Sequence, residues 1–163
     1  NDCYENRRAG IGTRTGETTR PVIEHNRCHH NVMAGIGTED HAAPIIRHNH
    51  CEHNELDAIG ARSGATPIIV NNTAIAKKLV ALGLPNGSRA VVVGNTFSRP
   101  SGGAPPIIAV LENSTAVLVG NHLSGGGIAS VLVKGTAILH NNTFTNTKNP
   151  VRPFPNATVI PTP

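Results

Sequence analysis

Aromatic side chains are nearly missing from this sequence: its 163 residues include three Phe, one Tyr and no Trp. Binders of single-stranded nucleic acid hold bases by stacking them on such rings. Nucleic acid is therefore not an expected partner, and a sugar-stacking platform is weakened for the same reason. Charge is scarce as well, with Asp, Glu, Lys and Arg at 15% against about 25% in typical domains. No apolar run reaches the length of a membrane-spanning helix, so no membrane partner is expected. The N-terminus lacks the basic, apolar, small-residue layout of a signal peptide. It starts at Asn1 rather than Met, as expected of a processed product or a piece of a longer protein. Gly is abundant at 17 and Pro at 12, and no capped apolar stripe of helical period occurs, which disfavours a coiled coil or a helical bundle. The length fits one domain.

What is present is a repeat. Asn recurs as Asn26, Asn49, Asn72 and Asn95, three steps of 23 residues, and continues through Asn121 and Asn142 after steps of 26 and 21. Loop insertions account for the slippage. Three residues before each Asn stands an apolar residue: Ile23, Ile46, Ile69, Val92, Leu118 and Leu139. Two residues after it stand Cys28, Cys51, Ala74, Phe97, Leu123 and Phe144, with Cys3 earlier. A third column, Ile11, Ile36, Ile59 and Leu82, is followed by Gly12, Gly37, Gly60 and Gly83. Each unit contains two or three apolar pieces of strand length, bounded by Gly, Pro, Asn or Ser. Asn72–Leu84 passes for a helix in isolation, and its alignment with the neighbouring repeats argues against that reading. A unit this short cannot bury its own apolar side, whereas units stacked along an axis can. The sequence therefore predicts an all-β solenoid, a single-stranded parallel β-helix of about six to seven coils with roughly 23 residues per coil. With neighbouring strands about 4.8 Å apart, the rod is about 30 Å long. We place it at residues 1–149, followed by an extended, proline-rich C-terminal tail at 150–163 that either caps the last coil or acts as a linker.

The Asn columns have a structural role in such a rod, because stacked amides bond one another and satisfy turn backbone. A second column, Asn6, Asn31 and Asn54, ends at Lys77. The three Cys share one inward column and are expected to be buried free thiols.

Chemistry is looked for where titratable groups gather. Seven of the nine His lie between His25 and His53. Aligned by repeat, His25 sits over His48, His30 over His53, His29 over Glu52, and Arg27 over His50. Adjacent coils bring such pairs to about 5 Å at the backbone. That is close enough for two imidazoles to share a metal ion or for a His and a carboxylate to form an acid–base pair. An exposed polar turn explains the same residues. Spacing supplies no third or fourth ligand, so no cofactor is assigned; Ca²⁺ and Zn²⁺ stay open, with His25 and His48 as the metal alternative. Residues 1–57 hold nine of the ten acidic residues, while 58–163 hold eight basic residues and only Glu112. The basic part suits a polyanion such as a uronate polymer. Gly10, Gly12, Gly35 and Gly37 alternate around Ile11 and Ile36 and leave one strand face nearly bare, able to receive a polymer chain or a protein segment; a need for positive φ is an equal explanation.

Units such as IEHNRC, IRHNHC, VVGNTF and LHNNTF, together with the GIG strands, make the chain resemble the right-handed parallel β-helix families of the pectate-lyase-like type and the carbohydrate-binding and sugar-hydrolysis repeat domains. The resemblance covers about residues 3 to 146. It implies a right-handed coil, polysaccharide as the partner, and an extracellular or periplasmic setting. Neither the paired-Asp signature of the pectin hydrolases nor the Arg-rich signature of the pectate lyases is present, so no catalytic residue carries over. Under this resemblance we expect a polysaccharide lyase or hydrolase of acidic glycans, with His30, His53 and Glu52 as catalytic candidates. Arg27, His29, His50, Arg62, Lys77 and Lys78 are the binding candidates. A noncatalytic glycan-binding or spacer module of a larger protein is the alternative, with further coils or domains of a parent chain as additional partners.

Overall fold

A computed structural model of the chain describes residues 1–100 and 103–162. Their regular structure is all strand. Three parallel sheets, each of seven strands, run the length of the molecule. The first stacks β1 (Asp2–Tyr4), β4 (Arg27–His29), β7 (His50–Glu52), β10 (Thr73–Ile75), β13 (Thr96–Arg99), β16 (His122–Gly125) and β19 (Thr143–Thr145). The second stacks β2 (Ile11–Thr13), β5 (Ile36–Thr38), β8 (Ile59–Ala61), β11 (Leu82–Leu84), β14 (Ile108–Val110), β17 (Val131–Val133) and β20 (Val151–Pro153). The third stacks β3 (Val22–Glu24), β6 (Ile45–Arg47), β9 (Ile68–Val70), β12 (Arg89–Val93), β15 (Thr115–Val119), β18 (Thr136–His140) and β21 (Thr158–Thr162). The chain visits the three sheets in turn, one coil at a time, so the molecule is a β-solenoid of about seven turns. The helix-like stretch 72–84 supplies β10 and β11, as its alignment requires. Among the described residues no helix is long and apolar enough to cross a membrane.

Three-residue strands suffice because each has to point only one or two side chains inward. In β3 and β6 the middle residue is buried and its neighbours are exposed. In β5 and β8 the outer two are buried and a glycine faces out. Parallel pairing in register then piles like on like: Ile23 on Ile46 on Ile69, Cys28 on Cys51, and Ile36 on Ile59. These columns meet in one continuous core whose largest member is Phe97. Each fully buried Ile or Leu contributes about 1.5–3 kcal/mol, and no single coil has enough of them to fold alone.

The corners are held by side-chain amides. From Asn26 to Asn142 the backbone N–H of each ladder Asn donates to the side-chain oxygen of the Asn one coil further on, at 2.8–3.0 Å. The side-chain N–H₂ donates to the same oxygen and to backbone carbonyls. Asn1 extends this ladder by bonding Asn26 at 2.9 Å. The second ladder, Asn6–Asn31–Asn54, crosses the corner between the first and second sheets. There Gly10 and Gly35 are required by close approach: a Cβ would lie 2.8 Å from Asn31 Nδ2 at Gly10 and 2.7 Å from Asn54 Nδ2 at Gly35. Where Lys77 ends that ladder, Arg99 takes over, its guanidinium donating to the carbonyls of Lys77, Lys78 and Leu79.

The proline-rich segment from Pro150 is extended and joins the walls of the rod. β20 pairs with β17 and β21 with β18, so residues 151–162 supply the last strands of two sheets. Pro163 lies outside the described residues.

Candidate functional site

Most of the histidines gather on and beside the outer face of the first sheet. Strand alternation turns Cys28 and Cys51 inward and Arg27, His29, His50 and Glu52 outward. The other four occupy corners in the left-handed backbone region: His25, His48, His30 and His53 all have φ of 53–55°. The residue preceding each main-ladder Asn is His25, His48, Asn71, Gly94, Gly120 and Asn141, and every one has positive φ. His shares with Asn and Gly a tolerance of this conformation, so the column has a backbone reason for its composition.

The expected pairs are brought together. His25 and His48 stack at 5.2 Å between ring centroids, and His30 and His53 at 5.1 Å, each with planes within 9° of parallel. Imidazole lone pairs lie in the ring plane. Parallel rings one above the other therefore aim their nitrogens along parallel lines rather than at a shared point. Among the described residues there is no group of three or more His, Cys, Asp or Glu arranged to hold a metal ion. Glu52 receives Arg27 Nη2 at 2.8 Å, with His50 Nε2 and His53 Nδ1 each at 3.4 Å. Arg27 above all, then His50, holds its carboxyl below the usual range. Across the coil, Asp2 Oδ1 bonds His29 Nε2 at 2.9 Å, His29 Nδ1 meets His30 Nδ1 at 2.7 Å, and Tyr4 stacks on His29 at 5.2 Å. The remaining binding candidates lie elsewhere. Lys77 and Lys78 sit on the corner beyond this face and hold Glu55 down to about 2, while Arg62 lies on the far side of the second sheet, paired with Glu39.

That second sheet carries a groove of about 320 Å³. Its floor is the outward position of β2, β5 and β8, namely Gly12, Gly37 and Gly60, and the same column continues to Gly83 in β11. Arg8, Met33 and Leu56, from the corner preceding the strands, form one wall. Arg14, Glu39 and Arg62, which follow the strands, form the other. None of the four floor glycines has a positive φ, so the backbone does not require them. A Cβ on Gly12 would meet nothing within 4 Å, and one on Gly37 would only touch Ala9 at 3.6 Å. Packing does not require glycine at these two places either. Glycine within a strand costs about 0.5–1 kcal/mol relative to alanine, and what it gives here is a bare floor.

Further along, Asp57 leans over the floor. Its Oδ2 lies 3.0 Å from where a Cβ on Gly60 would be and 2.5 Å from one on Gly83. Desolvation pushes its carboxyl up to about 6, opposed in part by Arg62 and by a hydrogen bond from the Val80 backbone. A group with that value exchanges protons near neutrality. The repeat itself does not single out Asp57. The signal was its column, Ala9, Ala34, Asp57 and Val80, where one carboxylate interrupts an apolar series. The facing ion pairs are Arg14 with Asp40 at 2.6 Å and Arg62 Nε with Glu39 at 2.9 Å.

The inward cysteines take no part in either place. All three are free thiols, and contact with Cys28 together with burial holds Cys51 well above the usual thiol value.

The family model described as "Right handed beta helix region" matches residues 1–151 of the chain. No curated protein and no solved structure matches it.

Proposed function

This chain belongs to the right-handed β-helix family, and from that premise we propose that it is a polysaccharide-associated domain whose glycine-floored groove seats an extended glycan chain along the rod. The observation that carries this reading is the bare floor at Gly12 and Gly37, where neither φ nor packing calls for glycine. Successive floor positions repeat every coil, about 4.8 Å, so Gly12, Gly37 and Gly60 offer a straight track of about 10 Å that ends where Asp57 covers Gly83. The walls alternate apolar contacts from Met33 and Leu56 with the donors of Arg8, Arg14 and Arg62. A sugar chain has this same mixture of apolar ring faces and polar rims, and the arginines suit carboxylate-bearing units.

Asp57 favours a catalytic version of this reading. A half-buried carboxyl at about 6 beside Arg62 is the kind of group that gives or takes a proton in glycoside cleavage. The polar patch with Glu52, His30 and His53 is the alternative seat, on the neighbouring face. A panel of soluble neutral and uronate-containing polysaccharides, scored for both affinity and chain cleavage, tests the proposal. Gly37→Val fills the groove and leaves the patch untouched, so it should abolish binding. Retained binding in Gly37→Val together with loss in His30→Ala and His53→Ala would move the site to the patch. Asp57→Asn should remove any cleavage while affinity persists.

A further inference from the structure

The third sheet carries a feature that the groove does not use. Its outward middle column is Val22, Ile45, Ile68, Val91, Val117, Ile138 and Ile160, aliphatic in all seven coils and continuous by strand register. Five of these seven are 36–51% exposed. In the middle coils Val70, Val93 and Val119 widen the stripe on one side. Thr115, Thr136 and Thr158 stack along the other side, below Arg89. Inward residues need to be apolar, but these point outward, where threonine would serve the ladder as a β-branched residue too, so strand pairing does not by itself call for seven aliphatic side chains facing water. Contiguous apolar surface of this size marks an interaction site.

We infer that this face is a dimer interface, occupied by the same face of a second copy of the chain with the two rods running parallel. Flat sheets pack face to face about 10 Å apart, and strand spacings make this face about 29 Å long and about 17 Å wide. Two such faces bury about 1,000 Å² together, the lower bound for a specific interface, and an affinity in the micromolar range is expected.

Charge chooses the orientation. The charged residues that flank the stripe on its two sides are Arg20 and Arg89 on one, Glu24 and Arg47 on the other. A twofold axis along the rod sets each coil against the same coil of the second copy and opposes the two flanks. Arg20 then meets Glu24 of the other copy twice, and Arg89 meets Val93. An axis across the rod would instead lay the central coil on itself and put Arg89 against Arg89, a like-charge contact that disfavours that arrangement.

Light scattering on the purified chain up to roughly 200 μM, well above a micromolar dissociation constant, should show a concentration-dependent dimer. Ile68→Lys combined with Val91→Lys should leave a monomer with an unchanged circular dichroism spectrum. Ile45→Cys should cross-link to itself, since the second coil faces the second coil. Three results would overturn the inference: a monomer at the highest concentration, a dimer indifferent to the lysine pair, or Ile45→Cys cross-linking only to Ile138→Cys in a mixed sample. Unaltered glycan binding by the lysine variant would separate this face from the groove.

Discussion

Two corners of the same rod are built on the same device and end differently. At the corner between the third and first sheets, the Asn ladder runs unbroken from Asn1 to Asn142. At the corner between the first and second sheets, it stops at Asn54, and a single buried arginine holds the turn above. The first corner keeps one residue type through every coil. The second borders the groove, and the coils with the short ladder are those whose second-sheet strands expose glycine. An amide ladder demands the same residue at every coil. Where it stops, the corner is free to vary, and it is here that Glu55, Asp57, Lys77 and Lys78 cluster.

The comparison is broken most severely at the continuous corner. Asn72 accepts from the backbone and side chain of Asn49 and donates to Ile46, Val70 and Asn95. Asn72→Leu leaves several buried groups unpaired at once, so denaturant unfolding should show a loss of about 3–4 kcal/mol. At the interrupted corner the effect should be smaller. Arg99 is 5% exposed, burial depresses its pKa, and its Nε has no partner among the described residues. Arg99→Met strips hydrogen bonds from three carbonyls but also removes a costly buried charge, for a net loss of about 2 kcal/mol. Arg99→Lys should not rescue it, because an ammonium lacks the fork that reaches several carbonyls.

Asp57 sharpens the comparison with an effect of opposite sign. Its folded value of about 6 lies above that of a free carboxyl, so the folded state binds the proton more tightly than the unfolded state does. This group's contribution is fully present below about pH 4 and is lost as pH rises to about 6. Allowing for solvent screening, Asp57→Asn should stabilise the protein at pH 7 by about 1–2 kcal/mol and remove that part of the pH dependence. Urea midpoints of both proteins at pH 4 and pH 7 check it.

Much of the fold was legible because ladder residues bond their own kind, so Asn26, Asn49, Asn72 and Asn95 had to repeat with the coil. The same logic placed Cys28 on Cys51 and Ile36 on Ile59. The site was only half legible. Gly10 and Gly12 read alike in sequence, yet one is forced by Asn31 and the other by nothing in the structure. Letters cannot show that difference, because it depends on which way each Cβ would point. The histidines drew attention as chemistry while four of them answer a backbone need, and the presence of Asn71, Gly94 and Asn141 at equivalent positions was the available clue. Asp57 is not legible from the repeat, because recurrence marks structural positions and this carboxylate occurs once in its column.

The most direct measurement pairs stability with glycan affinity in Gly12→Val. A β-branched residue replaces glycine in an unobstructed strand position, so the thermal midpoint should hold or rise, by the equivalent of about 0.5–1 kcal/mol, while binding in the groove is lost. A variant that binds glycan as well as the parent does, or one that unfolds easily, would contradict the claim that this floor is kept bare for a ligand.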